Sequence, residues 1–168
     1  LETRDAGRSL PPASVAKALT AAYALDALGP NHRFKTRVLM TGTLSNGILS
    51  GDVILAGGGD PALDTDDLAA LAADLKAKGI REVRGGFHVY GGALTQAARI
   101  DASQPEHVGY NPSVSGLNLN YNRVHFEWRR ASSGYTVTMQ ARSDRHRPAV
   151  RMASMTVAAR DAPVYTYE

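Results

Sequence analysis

The chain has 168 residues, of which 43% are apolar and 21% charged, and its net charge is +3. This length suits one domain or two small ones, and the composition is that of an ordinary globular protein. The positive excess is too small to indicate a nucleic-acid partner, and no apolar run reaches the 18 residues of a membrane span. Because the chain has no cysteine, disulfides, thiolate metal sites and a cysteine nucleophile are excluded.

The first predicted elements are a helix and a β-hairpin. Apolar residues recur near a 3.6-residue period over residues 13–28, and a Gly-Pro pair follows, so this segment is predicted to be a helix. Residues 36–56 alternate in hydrophobicity on both sides of Asn46 and Gly47. Because Asn-Gly is typical of two-residue hairpin turns, we expect a hairpin there.

A strand, helix, strand unit is predicted next, over residues 51–90. Its helix covers about residues 65–78, with Asp64 as the N-terminal cap and Asp67 as a first-turn acid. The second strand is predicted within residues 80–92. This order of elements is typical of an α/β layer.

The last predicted elements are strands. Apolar residues alternate over residues 117–121 and then, one position out of phase, over residues 124–128, which predicts a bulge near Asn122. The turn sequence "ASSG" at 131–134 leads into a further alternating run at 135–141, so a second hairpin is expected. The basic stretch "SDRHRPAVR" that follows is predicted to be a solvated edge or loop.

Ser14 and Lys17 form the first candidate for catalysis. Three positions apart on a helix, they share one face, so the lysine amine can reach the serine hydroxyl and take its proton. Lysine must be neutral for this, which requires burial, a helix N-terminus or a neighbouring cation. The alternative is that Ser14 caps the helix and Lys17 is solvated. By chance alone, roughly one chain in four of this length and composition would contain such a pair, so the spacing by itself is weak evidence.

No other segment predicts a cofactor or metal site. "GGGD" at 57–60 lacks the remainder of a phosphate-binding motif, and Pro61 removes a backbone N–H, so a tight turn is favoured over nucleotide binding. Four nearby aspartates do not have calcium-loop spacing, and helix capping and solvation explain them better. The five histidines have no zinc-ligand spacing. The aspartates are Asp60, Asp64, Asp66 and Asp67.

The ordered segments of the chain carry a family resemblance. They are "PPASVAKALTAAYALDALGPNHRFKTRV", "NGILSGDVILAGGGDPALDTDDLAALAADLKAKGIREVRGGFHVYGGAL" and "GYNPSVSGLNLNYNRV". Together, from about Ser9 to about Val124, they resemble the penicillin-binding D-alanyl-D-alanine carboxypeptidase/endopeptidase family of the class C low-molecular-mass type. The P-A-S-x-x-K run, followed by L-G-P and by G-D-x-x-L-x-G-G-G-D-P-x-L, is the distinctive combination.

The resemblance implies a serine peptidase that acts on peptidoglycan stem peptides and is acylated by β-lactams. Ser14 would be the nucleophile, with its backbone N–H in the oxyanion hole, and Lys17 the general base. The implied fold is α/β: part of a serine β-lactamase/DD-peptidase-like transpeptidase domain at residues 1–36, and most of an inserted α+β domain at residues 37–168. No cofactor, metal or nucleic acid is implied, and the implied location is the periplasm.

Two family motifs are missing from this sequence. "SDR" has Arg145 where the S-x-N motif needs Asn, and "MTGTL" has Met40 where the K-T-G motif needs Lys. We interpret both as chance matches. We therefore expect an incomplete site, whose remaining groups lie in a C-terminal remainder of the same precursor, as a second chain or a missing segment. A different hypothesis is a non-catalytic cell-wall-binding or assembly module, in which Ser14 is only a cap.

Overall fold

The computed structural model describes residues 4, 6–105 and 108–157, which divide into two compact units. Unit 1 is Leu1–Arg33 and unit 2 is Phe34–Glu168. The assignment of residues 1–36 to a transpeptidase domain and of 37–168 to an insert stays a prediction, and the outermost residues of both segments lie outside the described ones. Within the described residues, no helix is long and apolar enough to cross a membrane.

Unit 1 contains the helix expected at 13–28. A single 3-10 turn, Ala13–Val15, runs directly into α1, Ala16–Leu28. The helix ends at Gly29, whose φ of 80° is readily adopted by glycine, and whose N–H donates to the Leu25 carbonyl. The helix prediction is therefore confirmed, with the detail that its first turn is 3-10 rather than α.

Unit 2 begins with the expected hairpin, which consists of two successive strand pairs, an inner and an outer stage. Its strands are β1 (Arg37–Met40), β2 (Thr43–Ser45), β3 (Ile48–Ser50) and β4 (Val53–Ala56). β2 and β3 are antiparallel across Asn46 and Gly47, both with positive φ, and β1 is antiparallel to β4. A Cβ on Gly51 would collide with the Thr41 carbonyl, so only glycine allows the two stages to meet this closely.

The strand, helix, strand unit is confirmed, with one correction. Helix α2 is Thr65–Ala77, and β5 (Glu82–Val83) and β6 (Phe87–Tyr90) pair parallel with β3 and β4 respectively. The prediction of a single strand within 80–92 is wrong, because the strand is interrupted at Gly85. A Cβ there would collide with the backbone of Gly51, where the hairpin changes from one stage to the other.

The buried apolar residues of unit 2 belong to the hairpin and to the two ends of the helical connection. They are Leu49, Val53, Leu55, Leu63 and Ile80, each at most 8% exposed. The sheets have the orders β1-β4-β6 and β2-β3-β5, with parallel and antiparallel pairs in each. The fold of the described residues is thus mixed α/β, in agreement with the predicted class at that level.

The second hairpin is confirmed, but the strand expected before it is wrong. β7 (His125–Arg130) and β8 (Tyr135–Gln140) pair antiparallel over their whole lengths. Residues 117–121 form no strand; only Leu117 makes an isolated bridge. A 3-10 turn, Asn120–Asn122, stands where the bulge was expected, and all three of its residues have positive φ.

Candidate functional site

Ser14 and Lys17 are in contact at the start of the first helix. Ser14 is the middle residue of the 3-10 turn, and Lys17 is the second residue of α1. The Lys17 Nζ donates a hydrogen bond of 2.9 Å to the Ser14 Oγ, and both side chains are exposed. No side chain caps either helical start. The Ser14 hydroxyl therefore contacts the lysine instead of capping the helix, while its role as nucleophile stays a prediction.

The backbone just before the serine is unusual. Ala13 has a φ of 44°, in a region that residues with a Cβ seldom adopt. Such conformations are often found at functional sites, where the surrounding structure holds them. A helix start also carries a partial positive charge. The local structure is therefore suited to a nucleophile that develops negative charge.

A buried carboxylate in unit 2 ties two distant segments together. Asp66, in the first turn of α2, is only 9% exposed. It accepts hydrogen bonds from the Ser143 hydroxyl (2.6 Å), from the backbone and side chain of Arg145 (3.1 and 3.3 Å), and from the backbone and ring of His146 (3.0 and 2.6 Å). We call this group, Asp66 with Ser143, Arg145 and His146, the aspartate latch.

The aspartate latch overturns one expectation from the sequence. Capping and solvation were expected to explain Asp66, but this carboxylate is buried and bonded to Ser143, Arg145 and His146. The solvated edge or loop expected for "SDRHRPAVR" is confirmed, because residues 144–149 are exposed. The Ser143 hydrogen bond, and after it those of His146 and Arg145, hold the pKa of Asp66 well below its usual range, although desolvation opposes them. Nothing in the spacing of residues 80 positions apart signals this contact. The cap itself is confirmed: Asp64 and Asp67 form a reciprocal capping box.

The left-handed turn at 120–122 is held by its own asparagines. The Asn120 amide donates to the Thr65 hydroxyl at 2.9 Å and its oxygen accepts from the Thr65 N–H at 3.3 Å. The Asn122 amide donates to the Ser113 carbonyl, and its oxygen accepts from the Leu119 N–H. Asparagine tolerates positive φ, so the spacing "NLNYN" was the available signal for this turn.

A cleft of about 380 Å³ lies where these parts of unit 2 meet. The aspartate latch, the capped start of α2 and the left-handed turn all contribute to its walls. The lining residues with functional groups include Asp64, Asn120, Tyr121, Arg123, His125 and Arg142.

The guanidinium of Arg142 organises one wall of the cleft. Its Nη1 donates to the His125 Nε2 at 2.9 Å, and its Nη2 pairs with Glu127 at 3.2 Å. Because arginine only donates, the His125 Nε2 must be an acceptor, which leaves the ring proton on Nδ1. The Arg142 Nε is buried without a partner among the described residues.

The glycine-rich segment does not form a phosphate cradle. The N–H groups of Gly57 and Gly59 donate to the Tyr90 and Gly116 carbonyls, and the Asp60 carboxylate accepts a local backbone hydrogen bond. The expectation of a tight turn over residues 57–60 is wrong, because Gly57 and Gly59 bond to distant segments and Asp60 makes a parallel bridge with Leu117. Elsewhere in residues 4, 6–105 and 108–157, no cluster of three or more histidines and acids is placed to hold a metal ion.

Comparison with known proteins agrees with the resemblance in the sequence. The profile of the D-Ala-D-Ala carboxypeptidase 3 (S13) family matches residues 1–165. A D-alanyl-D-alanine carboxypeptidase of Actinomadura sp. (strain R39) is 36% identical over 121 residues, which are 71% of this chain and 22% of that protein. D-alanyl-D-alanine carboxypeptidase DacB of Haemophilus influenzae is 40% identical over 73 residues, which are 44% of this chain and 15% of DacB.

Solved structures are similar in fold as well. The crystal structure of penicillin-binding protein 4 (dacB) from Haemophilus influenzae has a TM-score of 0.62 at 25% identity, covering 77% of this chain and 30% of that one. A crystal structure of the same protein with a novel β-lactam has a TM-score of 0.53 at 26% identity, covering 76% of this chain and 26% of that one. The chain thus spans about a fifth of the length of its curated relatives, 22% and 15%. Since the family profile covers almost the whole chain, the chain belongs to the D-Ala-D-Ala carboxypeptidase 3 (S13) family, as its resemblance to class C low-molecular-mass penicillin-binding carboxypeptidases predicted.

Proposed function

We propose that this chain supplies the nucleophile of a serine-type D-Ala-D-Ala carboxypeptidase/endopeptidase that acts on peptidoglycan stem peptides. The observation that carries the proposal is the 2.9 Å contact between the Ser14 Oγ and the Lys17 Nζ at a helix start. The family of the chain and the carboxypeptidases among its relatives support the reaction class.

In the proposed reaction, the Ser14 hydroxyl attacks the carbonyl carbon of the penultimate D-Ala. Neutral Lys17 accepts the hydroxyl proton as the O–C bond forms, and this proton leaves with the amine of the terminal D-Ala when the peptide C–N bond breaks. Water then hydrolyses the acyl-serine ester and restores the hydroxyl. The Ser14 N–H, at the helix start, would stabilise the oxyanion in this scheme.

The same serine would open the ring of a β-lactam and remain acylated. The β-lactam complex of the structural relative supports this class of ligand. Groups that position the substrate, corresponding to the S-x-N and K-T-G motifs, would come from chain outside these 168 residues. Because peptidoglycan is the proposed substrate, we place the enzyme in the periplasm, which fractionation of cells carrying a tagged copy would test.

Labelling with a fluorescent penicillin, read by intact-protein mass spectrometry, tests the proposal. Ser14→Ala and Lys17→Ala should each abolish the adduct, whereas Ser9→Ala and Lys35→Ala, the same changes at positions outside the pair, should leave it. An adduct that survives Ser14→Ala would refute the nucleophile.

A second arm of the test concerns the rest of the site. The 168 residues alone should acylate far more slowly than the protein extended to the length of its relatives, because the added groups orient the β-lactam carbonyl. Equal acylation rates of the two proteins would show that Ser14 and Lys17 need no further groups to react with a β-lactam. Binding to peptidoglycan sacculi without any adduct, even in the extended protein, would favour the non-catalytic cell-wall-binding module instead.

A further inference from the structure

The walls of the cleft of unit 2 include three hydrogen-bonded features that the proposed serine chemistry does not use. The capping box fixes the start of α2, the aspartate latch holds the segment from Ser143 to His146 against it, and asparagine side chains fix the turn at 120–122. Preorganised walls of this kind are what a binding site requires. The volume of about 380 Å³ is in the range of small-ligand sites.

Tyr121 is the most unusual residue of the cleft. It has a φ of 57°, and a bulky side chain in that region is a genuine outlier. The residue is 63% exposed, so burial in a core does not account for the conformation. Asn120 and Asn122, on either side of it, also have positive φ. Their side chains donate hydrogen bonds to Thr65 and Ser113 respectively. The turn therefore presents an aromatic ring at the cleft at a conformational cost that other contacts offset.

The polar groups of the cleft suit a ligand with hydroxyl, amide and carboxylate groups. Among the residues that the structure describes, Arg123 is anchored through its Nε, which donates to the Gly109 carbonyl at 2.7 Å, so the outer nitrogens of its guanidinium can donate to a ligand. Asp144 lines the same cleft and is exposed. An aromatic ring beside amide, acidic and guanidinium groups can stack on a sugar ring and bind its polar substituents.

We propose that this cleft binds the glycan of peptidoglycan, with the ring of Tyr121 against a sugar face and the guanidinium of Arg123 on a carboxylate carried by the sugar. This assignment of the ligand rests on the proposed function, since a peptidoglycan substrate would bring such a glycan to the protein. The cleft lies wholly within unit 2 and shares no residue with the Ser14 and Lys17 pair.

The test is an NMR titration of the 168-residue chain with the peptide-free disaccharide of N-acetylglucosamine and N-acetylmuramic acid. Amide shifts should cluster at residues 120–125 and 142–144. N,N′-diacetylchitobiose, which lacks the carboxylate, should bind about tenfold more weakly, as expected for the loss of a charge-assisted hydrogen bond. Shifts that cluster elsewhere, or no binding of the disaccharide, would overturn the proposal.

Three variants sharpen the test. Tyr121→Asn keeps a residue that tolerates positive φ but removes the ring, and should weaken binding about fivefold or more. Arg123→Gln should weaken binding of the disaccharide about tenfold and leave the binding of chitobiose unchanged. The matched control Tyr110→Asn removes a ring that is 64% exposed and does not line the cleft, and should have no effect.

The proposal can fail independently of the proposed enzyme. Ser14→Ala should bind the disaccharide as the unchanged chain does, because the probe has no D-Ala-D-Ala peptide. If a stem peptide binds the cleft and the disaccharide does not, the glycan assignment is wrong even where penicillin labels Ser14. Equal affinities of the Tyr121→Asn and Tyr110→Asn variants would also refute it.

Discussion

Thr65→Val should destabilise unit 2 strongly, although the two side chains have nearly the same shape. Thr65 is 8% exposed, and its hydroxyl donates to the Ala141 carbonyl at 2.8 Å and accepts from the Asn120 amide at 2.9 Å. Valine removes both hydrogen bonds, at about 1 kcal/mol each, and leaves buried polar groups unpaired, at about 1–3 kcal/mol more. We therefore expect the free energy of unfolding to fall by about 3–5 kcal/mol.

Urea unfolding followed by circular dichroism measures this loss. Thr136→Val is the matched control, because Thr136 is exposed on β8, and its effect should stay within about 0.5 kcal/mol. In a double-mutant cycle, Asn120→Ala should cost much less in the Thr65→Val background than alone, since the two changes remove a shared bond. A Thr65→Val protein as stable as the control would refute the view that this hydroxyl joins α2, the left-handed turn and the end of β8.

Two further predictions concern the core and the aspartate latch. Leu49→Ala should cost about 2–5 kcal/mol in urea unfolding, whereas Leu44→Ala, at a site 45% exposed against 2% for Leu49, should cost less than about 1 kcal/mol. Because the pKa of Asp66 is lower in the folded state than in the unfolded one, where it is near 4, the stabilisation by its ionised form is complete above about pH 4 and is lost as the pH falls through the folded-state pKa. The stability gap between the unchanged chain and Asp66→Asn should accordingly narrow below about pH 4 in urea titrations, and a constant gap would contradict the assignment.

Local signals in the sequence were sufficient for several elements. The period of residues 13–28, the Asn46-Gly47 turn and the capping box at Asp64 each act over a few residues, so the sequence alone predicts them. The contact between Ser14 and Lys17 belongs to the same class, because i, i+3 side chains share a helix face. What the resemblance added was the chemical meaning of that pair.

The features that sequence reasoning missed depend on contacts between distant segments. The interruption at Gly85 arises because Gly51, which lies between β3 and β4, approaches its backbone. Asp66 has the local sequence of an ordinary first-turn acid, and only the fold brings Ser143 and His146 to it. The alternation over residues 117–121 was genuine, yet within the described residues it pairs only through the isolated bridge of Leu117, and the asparagine bonds determine the turn instead.

The two units place their polar groups in different physical settings, and this should make their functions separable. Ser14 and Lys17 are exposed, and acyl transfer from a serine requires surroundings that exclude water and hold the substrate. The cleft of unit 2 is already fixed by the capping box, the aspartate latch and the asparagine bonds, and needs no further assembly to bind. Acylation should therefore depend on chain beyond these residues, whereas glycan binding should not. Ser14→Ala should abolish only the first activity and Tyr121→Asn should weaken only the second, so a variant in unit 2 that lost both would argue against two independent sites.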